Sequence, residues 1–547
     1  MLPNSNGSHF VFVGGPSLNA QPGNARSTLL RRVLAEKRTK RREDAAKELD
    51  IMLNKGRGHM GQGCTCGNRA ESSTTNRLLP ENKPEALPGR CWSCGITRSS
   101  SLNLQTISGG RSDPLLPVDA TATRLKVHEL LDFTTTTLWP HFRSQDYAGN
   151  CYKSWVFPYE GNLLVYAVLW SASYHRDILR ITYGSEPRLE SREQLELKAL
   201  ALQALRKEIS NLSITKSPDS VVMCILYLAV NDRQKTRIVR DPSPFNPPYT
   251  SLQALDFYGS RDYDPLHWTV VQQIVHHFGG IQCLKAFALA WLLSLSDLMG
   301  AVQTLSKPIY PILGVDGKPL DLLSPQLLFQ PHGVTYSMQA GSGFHELFYI
   351  WPPVRPELVS VFIHLGQYSN VLQQLSEGPC SPEVLDLLGD SRNVIHHKLL
   401  SLPNENDSIE TIIQCMDQND ADNELTREIY LTCRLSAILY AVHVTFPIPR
   451  TELLRQSIRE ALYPRFERLS AQSVSSALIV WCVAVAVSMS GEKAPRPLVS
   501  YMMRLLKDTG VTTLAGLVTL LKSFAWVASA VNSSWEALWT DFFRVYS

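Results

Sequence analysis

The last three quarters of the chain carry one sequence pattern almost without interruption. From residue 125 to the end, apolar side chains recur at spacings of three and four, and the main breaks are proline-rich stretches at 242–249, 307–330 and 351–356. These spacings place apolar side chains on one face of an α-helix. More than 400 residues with this pattern can bury a large core. We therefore predict that residues 125–547 form an all-α domain of packed antiparallel helix pairs.

Capping signals indicate where single helices begin and end. Asp264-Pro265 has the residue types of an N-cap and a first helical turn, and it predicts a helix that runs to residue 278. Gly279-Gly280 predicts a left-handed turn that lets a second helix, 282–301, fold back as an antiparallel hairpin. Further helices are predicted at 163–180, 194–212, 219–231, 357–374, 382–400, 422–443, 450–463, 471–490, 496–507, 513–530 and 534–545.

The first 124 residues differ from the rest in charge and composition. They contain 18 Lys and Arg residues against ten acids, a net charge of +8, whereas the whole chain carries +3. Residues 1–58 are predicted to be a tail with a basic helix over 26–53, where helix formers dominate and Pro and Gly are absent. Residues 59–124 are rich in Gly, Pro, Ser and Thr with little periodicity, which predicts a disordered linker.

A dense basic block lies within the predicted helix of the tail. Seven Lys and Arg residues fall within twelve positions that hold one acid, Glu36: Arg31, Arg32, Lys37, Arg38, Lys40, Arg41 and Arg42. Runs of this kind serve as nuclear import signals or contact nucleic-acid phosphates, and the two roles can coexist. A plain solvated helix face is the third alternative. We predict these seven residues as a DNA-binding or nuclear-import site, with DNA and an import receptor as partners.

Four cysteines of the predicted linker could hold a metal ion. One residue separates Cys64 from Cys66, and two separate Cys91 from Cys94. Two thiolate pairs can close a tetrahedron around Zn²⁺. The short first spacing and the lack of apolar anchors between the pairs favour free thiols instead. The sequence does not decide between a zinc site and free thiols at these four cysteines. The predicted functional sites therefore include no metal site, and no cofactor is predicted.

The remaining cysteines do not indicate disulfide bonds. The chain has 11 cysteines, few for its length and odd in number, which is untypical of a disulfide framework. Five of them are predicted to be buried free thiols, because they lie in apolar helical patterns: Cys224, Cys283, Cys415, Cys433 and Cys482.

The sequence holds no recognisable catalytic motif. It has no Walker pattern, no glycine fingerprint between a strand and a helix, and no nucleophile-elbow spacing around Ser342. The longest uncharged apolar run, 477–487, has 11 residues, whereas a bilayer needs about 20. The N-terminus also lacks the apolar stretch of a signal peptide. We therefore expect neither an enzyme nor a membrane or secreted protein.

Motifs along the helical part occur in a characteristic order. They are His141-Phe142, Trp155-Val-Phe-Pro158, the apolar helix 163–173 followed by His175, the helices 194–212 and 221–230, and then His267, Gly279-Gly280, Leu284, Asp297 and Ala301. This order resembles the fungal-specific transcription factor domain, the C-terminal regulatory domain of fungal zinc-cluster-type regulators. The resemblance extends over roughly residues 125–545.

The chain departs from that family in two places. Many members have a tryptophan two residues before the aspartate that corresponds to Asp297, whereas this chain has Leu295 there. The family's six-cysteine zinc cluster is also missing from the head, so its mode of DNA binding does not carry over. The head is instead similar to a smaller group of fungal proteins, which open with a Phe-x-Phe patch, here Phe10-Val-Phe12, before a basic segment that starts here at Arg26-Ser27.

The resemblance implies a nuclear regulator of transcription in a fungus, with a helical domain that serves regulation and protein contacts. Members often control gene clusters, including those of secondary metabolism. Co-regulators or the transcription machinery are then expected as partners, and homodimers are common in the class. The alternatives are a non-DNA-binding nuclear co-regulator or scaffold, and an enzyme with an unrecognised pocket in a helical core.

Overall fold

The structure, a computed structural model, describes most of the predicted helical domain. The described ranges are 125–156, 162–184, 191–212, 217–231, 238–490 and 494–546. Gly63–Arg188 and Glu193–Ser547 belong to one unit, and Met1–Gln62 with Leu189–Arg192 belong to another, of which only two residues are described. The predicted tail, 1–58, and the predicted linker, 59–124, lie outside the described residues.

The described part of the chain is all-α, as predicted. Its only β-type pairings are three isolated bridges. None of its helices is long and apolar enough to cross a membrane. Its α-helices are α1 (Val127–Phe133), α2 (Gln145–Cys151), α3 (Asn162–Tyr183), α4 (Arg192–Ser210), α5 (Asp219–Asn231), α6 (Leu255–Tyr258), α7 (Pro265–His277), α8 (Leu289–Thr304), α9 (Pro325–Phe329), α10 (Glu346–Tyr349), α11 (Pro356–Leu375), α12 (Pro382–Ser401), α13 (Asp420–His443), α14 (Glu452–Ala471), α15 (Ala477–Ser490), α16 (Arg496–Thr509), α17 (Leu514–Ser523) and α18 (Ser533–Tyr546).

Two series of packed helices share one hydrophobic core. In the first series, α3 packs against α1 and α5, and α5 packs against α7. In the second, α11, α12 and α13 pack in chain order, α13 also packs against α14 and α15, and α15 packs against α16. Helix α8 contacts α5 in the first series and α12 in the second. One core cluster consequently extends from Leu125 to Phe542.

The caps around α7 form as the sequence predicts, but the helix after it does not. The Asp264 side chain accepts hydrogen bonds from the backbone N–H groups of Leu266 and His267, and Gly279 and Gly280 have φ values of 95° and 103°. The prediction of a helix over 282–301 is wrong at its N-terminal end. A 3₁₀ turn and an extended stretch come first, and α8 begins only at Leu289. Helix α7 packs mainly on α5, not on α8.

Three further helix boundaries differ from the prediction. The helix predicted to end at 463 runs through Pro464, because this exposed proline costs one hydrogen bond while Leu462 and Phe466 on the other face are buried. Helix α15 begins at Ala477 rather than 471, and the helix predicted over 513–530 already ends at Ser523.

The burial predicted for five cysteines holds for three of them. Cys224, Cys433 and Cys482 are buried, and Cys283 is half-buried in the 3₁₀ turn. Cys415 is exposed, so the prediction is wrong there. It lies in the irregular stretch before α13, where the apolar neighbours Ile412 and Ile413 are buried but the chain is not helical.

Candidate functional site

The segment between α1 and α3 winds irregularly and builds one wall of a cavity. It contains two π-helical turns, Thr134–Leu138 and Tyr152–Val156, on either side of α2. The threonine run accounts for the first turn. The hydroxyls of Thr134, Thr135 and Thr136 donate to main-chain carbonyls four residues back, at 2.6–3.0 Å, and so compete with the helical backbone bonds. Single π-turns of this kind are frequent at functional sites.

The cavity lies between this segment and helices α3, α5 and α8. Its volume is about 40 Å³, and 14 residues line it. Two are serines, Ser171 and Ser296, and six are aliphatic. The other six are aromatic: Trp139, Phe142, Tyr147, Trp155, Tyr227 and Tyr258. No lining residue carries a charge, so the cavity offers an apolar surface with a few hydroxyl groups.

The aromatic rings hold each other in fixed orientations. Trp139 and Trp155 meet edge to face with 5.3 Å between their ring centroids, and the Trp155 indole donates to the Phe287 carbonyl at 2.9 Å. Tyr147 and Trp291 also meet edge to face, at 5.6 Å. Such pairs stabilise a particular packing by about 1 kcal/mol each beyond the burial of their surface. The cavity wall is therefore preorganised.

One buried polar atom next to the cavity, the Trp291 indole nitrogen, has no hydrogen-bond partner among the described residues. Burial raises the pKa of Tyr147 well above its usual value, and the charge of the nearby Cys151 thiol and a hydrogen bond with it add to the rise. Tyr147 is therefore a neutral donor at the cavity wall.

The residue next to the cavity wall connects the site to α12. Arg143 follows Phe142 and stacks over the Trp291 ring at 5.5 Å. Its guanidinium donates to both carboxylate oxygens of Asp390, at 2.6 and 2.9 Å. Burial lowers the pKa of Arg143, but the hydrogen bond and charge of Asp390 outweigh this effect and raise it overall. The charged Arg143 side chain thus links the cavity wall to α12 of the second helix series.

A buried polar network continues from Asp390. The Gln253 amide nitrogen donates to Asp390 at 3.3 Å, and the Gln253 oxygen accepts from Arg392 and Asn393, both at 2.8 Å. Burial lowers the pKa of Arg392 to about 10. Gln253 and its neighbour Ala254 have φ values of 55° and 54°, in the left-handed region that non-glycine residues rarely adopt. The network compensates this strained backbone with several hydrogen bonds.

A serine and a histidine also meet at the end of α13, whose last residue is His443. The Ser243 hydroxyl lies 2.8 Å from His443 Nδ1 and accepts from the Phe245 backbone N–H. Burial is the main reason that the pKa of His443 lies well below its usual value. The positive charges of Arg455, Arg459 and Arg240 lower this pKa further. His443 Nε2 has no hydrogen-bond partner in the part of the chain that the structure describes. A histidine surrounded by arginines lacks the carboxylate that orients a catalytic base, so this pair does not form a Ser-His-Asp arrangement.

The residues singled out from the sequence as sites lie outside the described ranges. This holds for the whole basic block and for the four head cysteines: Arg31, Arg32, Lys37, Arg38, Lys40, Arg41, Arg42, Cys64, Cys66, Cys91 and Cys94. Within the described ranges, no group of three or more His, Cys, Asp or Glu side chains is arranged to hold a metal ion. Both predictions of the head therefore remain predictions.

Some residues of the sequence motifs line the cavity, although the sequence did not predict a cavity. Phe142 and Trp155 belong to the motifs that carry the family resemblance, and both line the cavity. Tyr147 and Ser296 were not predicted as site residues, because neither lies in a motif. The density of aromatic residues between 139 and 155 is the signal that could have found the wall. Comparison with protein-family models, with curated proteins and with solved structures finds no match for this chain.

Proposed function

We propose that this chain is a nuclear transcription regulator of a fungal gene set, such as a secondary-metabolite gene cluster. In this proposal, residues 31–42 provide nuclear import and contact DNA phosphates, and the helical domain is the regulatory part. It has no catalytic role. Homodimerisation and contacts with co-regulators or the transcription machinery belong to the same proposal.

The observation that carries the proposal is the basic block. Seven cationic side chains in twelve residues, in a head of net charge +8, suit a polyanion or an import receptor. The motif order along the helical part supports the choice of transcription among nuclear functions. Phosphate contacts orient a protein on DNA without selecting a sequence, so the proposal leaves base recognition to other groups.

The missing six-cysteine cluster favours a second candidate, a nuclear co-regulator or scaffold that does not bind DNA itself. Such a protein would use the basic block for import alone and reach chromatin through a partner. The two candidates differ in one measurable respect. Removing the basic block should abolish chromatin occupancy in the first case and leave it intact in the second, provided that import is restored separately.

Genome-wide chromatin occupancy of the tagged full-length protein is the test. One variant replaces all seven basic residues of the block by Ala. The matched control replaces seven basic residues of the head outside the block by Ala: Arg69, Arg77, Lys83, Arg90, Arg98, Arg111 and Arg124. All proteins carry an added import signal. Because both variants lose seven positive charges, only the position of the lost charge differs between them.

We expect discrete occupancy peaks for the wild type and the control variant, and loss of most peaks for the block variant. Peaks that persist in the block variant would support the co-regulator instead. Absence of peaks in every protein would contradict a role in transcription. The purified full-length chain should also lose DNA affinity steeply with added salt, with a slope that decreases when the block is removed.

A further inference from the structure

We propose that an exposed aromatic surface around Trp351 is a docking site for a basic segment of a partner protein, a segment that carries Lys or Arg side chains together with apolar ones. The surface consists of Tyr349, Trp351 and Met416. The inference does not rest on a role in transcription, because binding is measured on the purified chain. It follows from the exposure of these side chains, the fixed backbone beneath them and the acidic residues around them.

The exposure of Trp351 is unusual within this fold. The other nine tryptophans that the structure describes are buried or half-buried, whereas 64% of Trp351 is exposed, as are 85% of Tyr349 and 51% of Met416. Tyr349 lies two residues before Trp351. The Trp351 indole donates a hydrogen bond to the carboxylate of Asp417, the residue after Met416. The three side chains therefore belong to one surface patch, and exposed patches of this kind mark interaction sites.

The backbone beneath the aromatic surface is fixed by contacts with the segment around the start of α13. The Thr426 hydroxyl donates to the Pro352 carbonyl at 3.0 Å, and the Gln414 backbone N–H donates to the Pro353 carbonyl at 2.8 Å. The hydrogen bond to Asp417 satisfies the only polar group of the Trp351 ring. A ring that is held in place before binding loses little conformational entropy when a partner docks on it.

Acidic residues dominate the chain next to the aromatic surface. Residues 404–428 contain eight Asp and Glu residues and one basic residue, Arg427. Three of the acids are paired with Lys or Arg side chains: Asp407, Glu424 and Glu428. The other five have no ion pair within the described part of the chain: Glu405, Glu410, Asp417, Asp420 and Asp422. The surroundings of the aromatic surface consequently carry unpaired negative charge.

This combination of aromatic and acidic side chains fits a basic occupant. A guanidinium or ammonium group can stack on the Trp351 ring while unpaired carboxylates balance its charge, and an apolar side chain can contact Tyr349 and Met416. The one neighbouring cation, Arg355, donates to the Glu410 carbonyl at 3.0 Å and lies 3.8 Å from Glu357. Nucleic acids and anionic membranes are repelled by the same carboxylates. The surface therefore suits a basic protein segment.

The test is titration of the full-length protein with a fluorescent amphipathic peptide of about 12 residues, with Arg and Lys on one face and Leu on the other. Fluorescence anisotropy measures the binding. We expect saturable binding that weakens with added salt. A peptide with Gln in place of Arg and Lys should bind at least about tenfold more weakly, and so should one with Ser in place of Leu.

Aromatic variants test whether the peptide binds at this surface. Trp351→Ala should weaken binding at least about tenfold, because an exposed aromatic anchor is lost. Tyr349→Ala truncates a side chain that is almost fully exposed, so it should fold normally and weaken binding about threefold or more. The control is Tyr336→Ala, which should not change the affinity. Tyr336 is also exposed, but it follows Thr335, whose N–H bonds to Gln374 at the far end of α11.

Charge variants test the acidic surroundings. The double variant Glu410→Gln/Asp420→Asn removes two exposed carboxylates next to the aromatic surface and should weaken binding about threefold or more. The matched control Asp508→Asn/Glu536→Gln removes two exposed carboxylates on α16 and α18 and should leave binding unchanged. Because both double variants lose the same charge, only its position differs.

The exposed Cys415, next to Met416, reports occupancy of the surface directly. Bound peptide should slow thiol labelling of Cys415 at least about threefold, as measured by mass spectrometry of individual peptides. Cys380 serves as the internal control. It lies beyond the far end of α11, a helix of 20 residues and about 30 Å, and its labelling should not change.

Each result supports or overturns the proposal. Absence of saturable peptide binding, equal binding of the Gln peptide, or unchanged affinity in Tyr349→Ala and in folded Trp351→Ala would overturn it. If Trp351→Ala does not fold, Tyr349→Ala and the labelling of Cys415 still decide. A wild-type dimer that Tyr349→Ala converts to a monomer, without peptide binding, would identify a second copy as the occupant instead. All variants leave the basic block intact, so failure of this proposal is distinct from failure of the proposed function.

Discussion

Individual buried histidines illustrate how tertiary contacts set chemistry at the residue scale. His396 is a buried residue of α12, where its Nδ1 bonds to the Arg392 carbonyl at 2.5 Å and its Nε2 to the Thr445 hydroxyl at 2.8 Å. Both contacts suit the neutral ring, with Nδ1 as donor and Nε2 as acceptor. Burial lowers the pKa of His396 from 6.5 to about 3. The folded protein therefore keeps this ring neutral at pH values where the unfolded chain protonates it.

We predict that His396 contributes to the loss of stability in mild acid. Between pH 7 and pH 5 the His396 ring takes up a proton in the unfolded chain but stays neutral in the folded protein. The free energy of unfolding therefore decreases as the pH falls, and His396 accounts for about 2 kcal/mol of this decrease. In His396→Gln this part of the decrease should disappear. Urea unfolding at a series of pH values measures it, with exposed His276→Gln as the control, and an unchanged pH dependence would contradict the assignment.

At the scale of elements, close backbone approaches fix how the second helix series packs. Gly366 in α11 lies against the Phe524 carbonyl and the backbone of Gly341, so a Cβ at this position would come within 2.5 Å of Gly341 Cα. Gly149 in α2 is different, because a Cβ there would meet nothing within 4 Å. The same residue type thus has a packing role in one helix and none in the other.

We predict opposite effects for alanine at these two glycines. Gly366→Ala should lower the free energy of unfolding by about 3 kcal/mol or more, because backbone atoms cannot move aside as a flexible side chain can. Gly149→Ala should be neutral or stabilising by up to about 1 kcal/mol, since alanine favours an exposed helix. Denaturant unfolding of both variants tests this, and a mild effect at Gly366 would show that α11 and Gly341 are less closely packed.

At the scale of the whole molecule, one continuous core joins the two helix series. Cys224 in α5 and Cys482 in α15 are both buried in the same hydrophobic cluster, although they lie in different series. Helix α8 and the Arg143–Asp390 pair connect the series directly. A core that is shared in this way favours cooperative unfolding of the described part of the chain.

We predict that Cys224 and Cys482 become reactive at the same denaturant concentration. Pulsed thiol labelling, read by mass spectrometry of individual peptides, measures both midpoints in one sample. Exposed Cys415 serves as the control and should react without denaturant, at a rate at least about tenfold higher. Separate midpoints for the two buried thiols would show that the helix series unfold as independent domains.

The amino-acid sequence alone determined the fold class and the positions of most helices. Apolar periodicity and caps act over one or two turns, so α5 begins and ends where the pattern predicts, and Asp264 caps α7 as expected. Where the sequence reasoning failed, long-range packing outweighed the local signal. Burial of Leu462 and Phe466 carries α14 through Pro464, and α7 packs on α5 instead of pairing with the helix that follows.

The candidate site belongs almost entirely to the tertiary structure. The sequence shows aromatic residues near 139–155, but only folding brings them together with Ser296 on α8 and Tyr258 on α6, more than 100 residues away. The buried state of Tyr147 likewise depends on neighbours that are distant in the chain, Phe287 and Trp291. Helix formation is governed by interactions between residues close in the chain, whereas a cavity is the space that distant side chains leave between them, and this is why the sequence determined the first and tertiary packing decided the second.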